Sequence, residues 1–260
     1  MRKFGFKVFS TNLHTTPEII KECGEFAATK SDVFVEVMAH PDTSDADLEK
    51  IKSLLENVEV RIHAYHIGFD PANRENEHQN QKIIAFAQKA ADMFNSPTIV
   101  VHGGYGHGRK YLEETARQFK LFNDERIVIE NLPYCDKNID DMHGNVAEEI
   151  AYVMNECGCG FCFDFSHAIC AALSLNMDIE TQLKSFYALK PKVYHICDGD
   201  ITKAEDPHLY LGSGNYPLKH FLNDYTDENA YVTIETGNGY EQHCDSRIAD
   251  YQYLRTLQQI

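Results

Sequence analysis

Eight short apolar segments, rich in β-branched and aromatic residues, recur along the 260-residue chain and alternate with segments of helical periodicity. The eight predicted strands are 4–10, 32–38, 58–64, 97–103, 126–131, 160–166, 192–198 and 230–236. Near-continuous apolar strands that alternate with helices are typical of a parallel sheet covered by helices. The pattern predicts an α/β fold, a single (β/α)8 TIM barrel over residues 1–260, since such barrels contain ~250 residues.

The intervening segments carry the start signals of helices. Segment 16–30 opens with Thr16 followed by Pro17, and segment 45–57 opens with Asp45 as its predicted N-cap. The other predicted helices are 75–94, a weaker one at 109–122, and 144–157, 178–190, 216–225 and 246–257. The longest irregular stretches follow the third, fifth and seventh strands, and in a barrel they overhang the rim where active sites are built.

Side chains that can coordinate a divalent ion lie at the ends of these strands, where each apolar run gives way to a loop. They are His63, His102, Glu130, Asp164, His167, His195, Asp206, His208 and Glu235. A single histidine at a strand end is usually a satisfied polar residue, but nine such residues on one rim favour a metal centre. Mixed imidazole and carboxylate donors suit Zn²⁺ or Mn²⁺. Nine donors exceed the needs of one ion, so one to three ions are expected, with any remaining residues contacting ligands or substrate.

The succession HA, VVHGG, VIEN, FDFSHA, HICDGD, DPHLYLGSG and IETGNG resembles the xylose isomerase-like TIM-barrel superfamily, the AP endonuclease 2 family. That superfamily includes endonuclease IV, sugar and sugar-phosphate isomerases and ketose 3-epimerases, and the resemblance covers essentially the whole chain. In the epimerases one ion is held by residues that match Glu130, Asp164, His195 and Glu235, and the two glutamates also act as the acid/base pair. His167 matches the histidine that contacts a substrate oxygen in those enzymes.

The resemblance to endonuclease IV implies a different use of the same residues, in which all nine are zinc ligands. The implied groups are His63, His102 and Glu130 for one ion, Glu130 with Asp164, His195 and Glu235 for a second, and His167, Asp206 and His208 for a third. A cluster of that kind clamps a phosphodiester and generates hydroxide. This alternative predicts a metal-dependent hydrolase acting at abasic sites in DNA.

Three observations favour sugar chemistry over DNA cleavage. The net charge is −16, and the rim loops offer few cations besides Arg74, Arg109 and Lys203, whereas DNA binding depends on several. The loop AYHIGFD after His63 lacks a clear match to the aromatic–aliphatic pair with which endonuclease IV probes an abasic site. The run DPHLYLGSGN also resembles a motif of uncharacterised sugar isomerase-like proteins.

The sequence therefore predicts a metal-dependent isomerase or epimerase with Glu130, Glu235 and His167 as catalytic residues. Its expected partner is a small sugar or sugar phosphate, with DNA only under the hydrolase alternative. A barrel that binds metal or sugar without turnover stays open as a third class. The sequence is compatible with a homo-oligomer.

We expect the remaining features to have structural or solvent-exposed roles. The eight cysteines are expected to be reduced structural thiols, since the CGCGFC cluster has no second pair to complete a zinc knuckle. The glycines of HGGYGHG and LGSGN are expected to form turns, and His66, His107 and His143 to be solvated loop histidines. No leader and no apolar run of ~20 residues is apparent, so no membrane partner and a cytoplasmic location are expected.

Overall fold

The computed structural model describes residues 1–134, 142–239 and 241–258, and its parallel strands close into a barrel in the order β1 to β8. The strands are β1 Lys3–Phe9, β2 Val33–Ala39, β3 Val60–Ala64, β4 Ile99–His102, β5 Ile127–Glu130, β6 Gly160–Asp164, β7 Val193–Ile196 and β8 Tyr231–Ile234. Strand β1 pairs with both β2 and β8, which closes the sheet. The predicted barrel and its eight strands are confirmed.

Helices connect the strands, and every predicted helix is present. They are α1 Asn12–Thr15, α2 Pro17–Ala28, α3 Asp45–Leu54, α4 Glu77–Phe94, α5 Arg109–Phe122, α6 Ala147–Cys157, α7 Phe165–Ser174, α8 Ile179–Tyr187, α9 Leu218–Tyr225 and α10 Asp245–Gln258. A 3₁₀ turn, Arg74–Asn76, precedes α4. The predicted cap of α3 was wrong by one residue, because the side chain of Ser44 accepts the Asp47 N–H.

Helix α7 was not predicted, and its composition explains why. Eight of its ten residues are buried, and FSHAICAALS contains no Asp, Glu, Lys or Arg to mark a solvent-facing side. The helix begins where β6 ends, because Asp164 closes the strand and its side chain caps the helix by accepting the His167 N–H at 2.7 Å. The chain therefore turns from strand to helix without a loop.

A layer of small apolar side chains lies under the predicted ligands. Val100, Val128, Cys162 and Val193 form one buried cluster, each two residues before the last or next-to-last residue of its strand. Residues two apart on a strand share a face, so the residues that follow them by two positions point to the same side of the sheet. The residues two positions later in these four strands are His102, Glu130, Asp164 and His195.

The seven described cysteines are free thiols, and Cys135 lies outside the described residues. Five of the seven are buried, as expected of structural thiols, whereas Cys157 and Cys159 at the end of α6 are half-buried. In the described parts of the chain, no helix combines the length and the apolar character that a membrane span requires.

Candidate metal centre

Six of the nine predicted ligands lie in or directly after strands, but three occupy other positions. His167 is in the first turn of α7, and Asp206 and His208 lie in the irregular loop that follows β7. The expectation that all nine end strands was therefore wrong for these three. Helix α7 brings His167 back to the rim because its N-terminus is fixed on the last residue of β6.

Glu130 is the centre of the site. Its Oε2 atom lies 3.2 Å from Nε2 of His63 and 3.2 Å from Nε2 of His102. Its Oε1 atom lies 3.0 Å from Nδ1 of His195. The carboxylate is only 1% exposed, so its two oxygens face imidazoles from three other strands rather than water.

A second group shares Glu130 and adds Asp164, His195 and Glu235. One donor atom from each of the four residues lies within 4.8 Å of the others. His195 Nδ1 is 2.9 Å from Glu235 Oε1, so the β5 and β8 glutamates converge on one nitrogen. All four residues are buried.

The third group lies above α7. His167 Nε2 is 3.2 Å from Asp206 Oδ2, and His208 Nε2 is 2.7 Å from the same oxygen. Ser166 Oγ donates to the other Asp206 oxygen at 2.6 Å and fixes the carboxylate. The residues of the three groups are the same as those that the resemblance to endonuclease IV implies for three ions.

The donor set fits divalent metal ions. His63, His167 and His208 have Nδ1 2.6–2.8 Å from a backbone carbonyl oxygen, which makes Nδ1 the donor nitrogen and leaves Nε2 facing the carboxylates. His195 is held the other way round, with Nε2 3.3 Å from Glu36 Oε2. Metal-binding histidines in proteins characteristically donate their outer N–H to a carbonyl or carboxylate, which leaves the inner nitrogen free for the ion.

The electrostatics of the group also favour bound cations. Burial raises the pKa of Asp164 to about 6, and the negative charges of Asp206 and Glu130 add to the effect. Burial would also raise the pKa of Glu130, but the His195 and His102 rings outweigh it and hold that pKa well below its usual range. Several buried carboxylates thus depend on positive charge nearby, which divalent ions supply.

Two charged residues of the site were missed by the sequence reasoning. The Lys7 ammonium on β1 donates to Glu235, and Glu36 on β2 is fully buried beside His195. Burial lowers the pKa of Lys7, but Glu235, Glu36 and Glu130 outweigh that effect and raise it. The signal was a charged residue inside an apolar strand, in FGFKVF and in VFVEVM, because a buried charge requires a partner.

A cavity of about 480 Å³ lies next to the third group. Its polar lining includes Lys7, His66, His102, His167, Asp206, His208, Glu235 and Arg247, and its apolar lining includes Phe9, Met38, Ile67, Leu132, Pro133 and Met142. Ile67 is 64% exposed. A concave, mostly apolar site with a few polar groups is typical of small-molecule binding.

The three rim-loop histidines are less solvated than expected. His143 is fully buried, so its assignment as a solvated residue was wrong. His66 is half-buried and stacks on His102 with 4.7 Å between ring centroids. His107 is half-buried as well and stacks on Tyr134. The loops after β3 and β4 therefore pack their rings inward.

Two of the three rim cations named from the sequence, Arg109 and Lys203, are engaged by acidic neighbours. Arg109 Nε lies 2.9 Å from Glu113, and Lys203 Nζ lies 3.6 Å from Asp200. Arg247, which the sequence reasoning missed, is buried against the cavity, where Nε donates to the Lys7 carbonyl oxygen at 3.0 Å. The two ion pairs offset the positive charge of Arg109 and Lys203.

Comparison with known proteins finds similarity both to endonuclease IV proteins and to an epimerase-like protein. The chain is 28% identical over 220 residues to a probable endonuclease 4 of Mycobacterium leprae (strain Br4923), which covers 82% of each chain. The fold of this chain is similar to that of a D-tagatose 3-epimerase-like protein, with a TM-score of 0.71 and 18% identity. The match covers 97% of this chain and 96% of the other. The fold is also similar to that of endonuclease IV from Thermus thermophilus, with a TM-score of 0.67, 19% identity and coverage of 98% and 99%.

The family is shown by a match over most of the chain. Residues 19–253 match the family described as xylose isomerase-like TIM barrel, a range that includes all nine predicted ligands. Together with the closed barrel, this match establishes that the chain belongs to the xylose isomerase-like TIM-barrel family.

Proposed function

We propose that this chain is a divalent-metal-dependent isomerase or epimerase that acts on a small sugar or sugar phosphate by proton transfer next to a carbonyl. The observation that carries the proposal is the convergence of Glu130 and Glu235 on His195 Nδ1, at 3.0 and 2.9 Å, beside a cavity of about 480 Å³. Such a cavity suits a small molecule better than a DNA duplex.

We assign the four central residues roles that agree with their positions. Glu130, Asp164, His195 and Glu235 would hold an ion of the Zn²⁺ or Mn²⁺ type. A bound ion of this type polarises a carbonyl and makes the neighbouring C–H more acidic. Because Glu235 lines the cavity, we assign it the proton transfer, and because Glu130 is absent from the lining, we assign it the role of ligand. His167 also lines the cavity, and we assign it the orientation of a substrate oxygen.

The second candidate is an endonuclease IV-like phosphodiester hydrolase acting at abasic sites. A specific observation favours it: all nine donors fall into three groups. The isomerase site of Glu130, Asp164, His195 and Glu235 uses only four of these donors, whereas the hydrolase would use all nine. Three divalent ions would outweigh the charge of four carboxylates and would suit an anionic substrate. The paired rim cations and the net charge of −16 count against a DNA duplex.

The deciding experiment measures solvent proton exchange. Protein loaded with Zn²⁺ or Mn²⁺ is incubated in D₂O with a panel of aldoses, ketoses and their phosphates. Deuterium is expected at the carbon next to the carbonyl of the true substrate. Glu235→Gln should retain at least one ion and lose roughly 100-fold or more in exchange rate, because the carboxylate that moves the proton is gone.

Matched variants and a parallel assay make the outcome decisive. Glu130→Gln should lose both activity and metal, whereas Glu125→Gln, an exposed change near the same strand, should behave as wild type. The same preparations are tested for nicking of a duplex with one abasic site. Metal-dependent nicking that Glu130→Gln abolishes, with no deuterium incorporation, would replace the isomerase proposal by the hydrolase.

A further inference from the structure

Three of the nine predicted ligands combine with Glu36 in a further donor set, which is none of the three groups described above. One donor atom from each of Glu36, His63, His195 and Glu235 lies within 4.8 Å of the others, and all four residues are buried. Two imidazoles and two carboxylates in that arrangement are a chemically complete ligand set for a divalent ion.

A cation of the chain itself reaches two members of this set. The Lys7 ammonium contacts Oε1 of Glu235 and lies 3.9 Å from Oε1 of Glu36. That Glu36 oxygen is buried and has no hydrogen-bond partner among the described residues. The other Glu36 oxygen accepts from Thr233 Oγ1 at 2.7 Å and lies 3.3 Å from His195 Nε2. The carboxylate is thus anchored on one side, while its remaining oxygen lies nearest to the ammonium.

We propose that Lys7 is a positioning residue of the metal centre whose ammonium stands in for an ion between Glu36 and Glu235. The ammonium is covalently attached to the chain and, unlike a bound ion, cannot leave for the solvent. Lys7 therefore occupies the place of one ion and limits the number of ions that the centre holds. Its contact with Oε1 also fixes the Glu235 carboxylate. The inference rests on the proposed metal centre and not on which reaction that centre performs.

Removal of the ammonium should increase the amount of bound metal, whereas a simple loss of structure should decrease it. In Lys7→Met the buried Glu36 and Glu235 carboxylates lose their fixed counter-charge, and an unpaired buried charge is strongly unfavourable. A divalent ion from solution would restore the balance. Lys7→Met is therefore expected to bind one more equivalent of metal per chain than the wild type.

The experiment counts ions. Wild type, Lys7→Met, Lys7→Arg and the double variant Lys7→Met/Glu36→Gln are equilibrated with excess Zn²⁺ or Mn²⁺, desalted and assayed by inductively coupled plasma mass spectrometry. Lys7→Arg keeps the charge and should match the wild-type count. The double variant lacks one carboxylate of the set and should also return to the wild-type count. An unchanged count in folded Lys7→Met would overturn the proposal.

A measurement on the unmodified protein covers the case in which Lys7→Met does not fold. Anomalous diffraction from zinc-loaded wild-type crystals locates every ion. Lys7 Nζ within hydrogen-bonding distance of Glu235, with no ion between Glu36 and Glu235, is the expected result. An ion in that position with Lys7 displaced would contradict the proposal, whatever substrate the protein proves to turn over.

Discussion

The His143 ring is held between the loop after β4 and helix α5 by three hydrogen bonds. Its Nε2 atom accepts from the Gly104 N–H and from Thr115 Oγ1, both at 3.0 Å, and its Nδ1 faces the Gly106 carbonyl oxygen at 3.3 Å. Only the neutral ring with the proton on Nδ1 satisfies all three partners. Burial lowers the pKa of this histidine to about 4.

This lowered pKa predicts a specific acid sensitivity. Because the folded state holds His143 neutral while the unfolded chain protonates it near pH 6.5, the stabilisation is complete above that pH. It is lost as the pH falls from about 6.5 towards 4. Between pH 7.5 and pH 5.0 the wild type should lose about 2 kcal/mol more unfolding free energy than His143→Gln.

Urea unfolding of both proteins at the two pH values measures the difference. His78→Gln, a change of an exposed histidine on α4, serves as the matched control and should lose as much stability as the wild type. Equal losses in wild type and His143→Gln would show that this ring does not carry the acid sensitivity.

At the scale of elements, the loop between β7 and α9 is organised around one buried carboxylate. Asp198 accepts backbone N–H groups from Gly199, Gly212, Gly214 and Tyr216 at 2.8–3.1 Å. The turn predicted at LGSGN is present, and two of its amides are used by this aspartate. The same loop carries the Asp206 and His208 members of the third group, so Asp198 determines where those donors lie.

Replacement of this carboxylate should loosen the loop. Asp198→Asn keeps the size but offers one acceptor oxygen to four donors, which leaves buried N–H groups unsatisfied. The expected loss is about 3 kcal/mol of unfolding free energy, measured by urea denaturation, together with at least one equivalent of bound metal. Asp200→Asn on the same loop, whose carboxylate bonds to nearby Thr202 and Lys203 at the surface, should stay within about 0.5 kcal/mol of wild type.

The elements that could be predicted from sequence are those whose signal is local. Each strand was indicated by its own apolar run, and the nine candidate ligands by their place near the ends of those runs. Lys7 and Glu36 were missed because their partners, Glu235 and His195, are 228 and 159 residues away in sequence. The burial of His143 likewise depends on a loop 39 residues earlier. The register of the strands and the closure of the barrel bring these groups together, and no local sequence pattern encodes either of them.

At the scale of the whole molecule, the distribution of charge limits the partners. The chain carries 24 Lys and Arg against 40 Asp and Glu. Of the three rim cations Arg74, Arg109 and Lys203, the last two face carboxylates, so few cations on the described part of the rim could follow a phosphate backbone. In the cavity, positive charge comes from Lys7 and Arg247, and bound ions at the centre would add to it.

This distribution predicts that undamaged duplex DNA does not bind at 150 mM salt. Fluorescence anisotropy of a labelled duplex should stay flat up to about 10 μM protein, a concentration inside the range of ordinary non-specific dissociation constants of about 1–100 μM. Glu113→Lys/Asp200→Lys adds positive charge beside the two rim cations and should show a salt-dependent rise, which proves the assay sensitive. A rise with the wild-type protein would remove the electrostatic objection to the hydrolase.

The pairing of β1 with β8 sets the order in which the molecule can mature. Glu235 is synthesised 228 residues after Lys7, and the two meet only when the closing strand docks. A chain still emerging from the ribosome lacks Glu235 and holds Lys7 and Glu36 without their common partner. The proposed metal centre can therefore be completed only after ring closure, and a chain truncated before β8 would lack both the closing strand and Glu235.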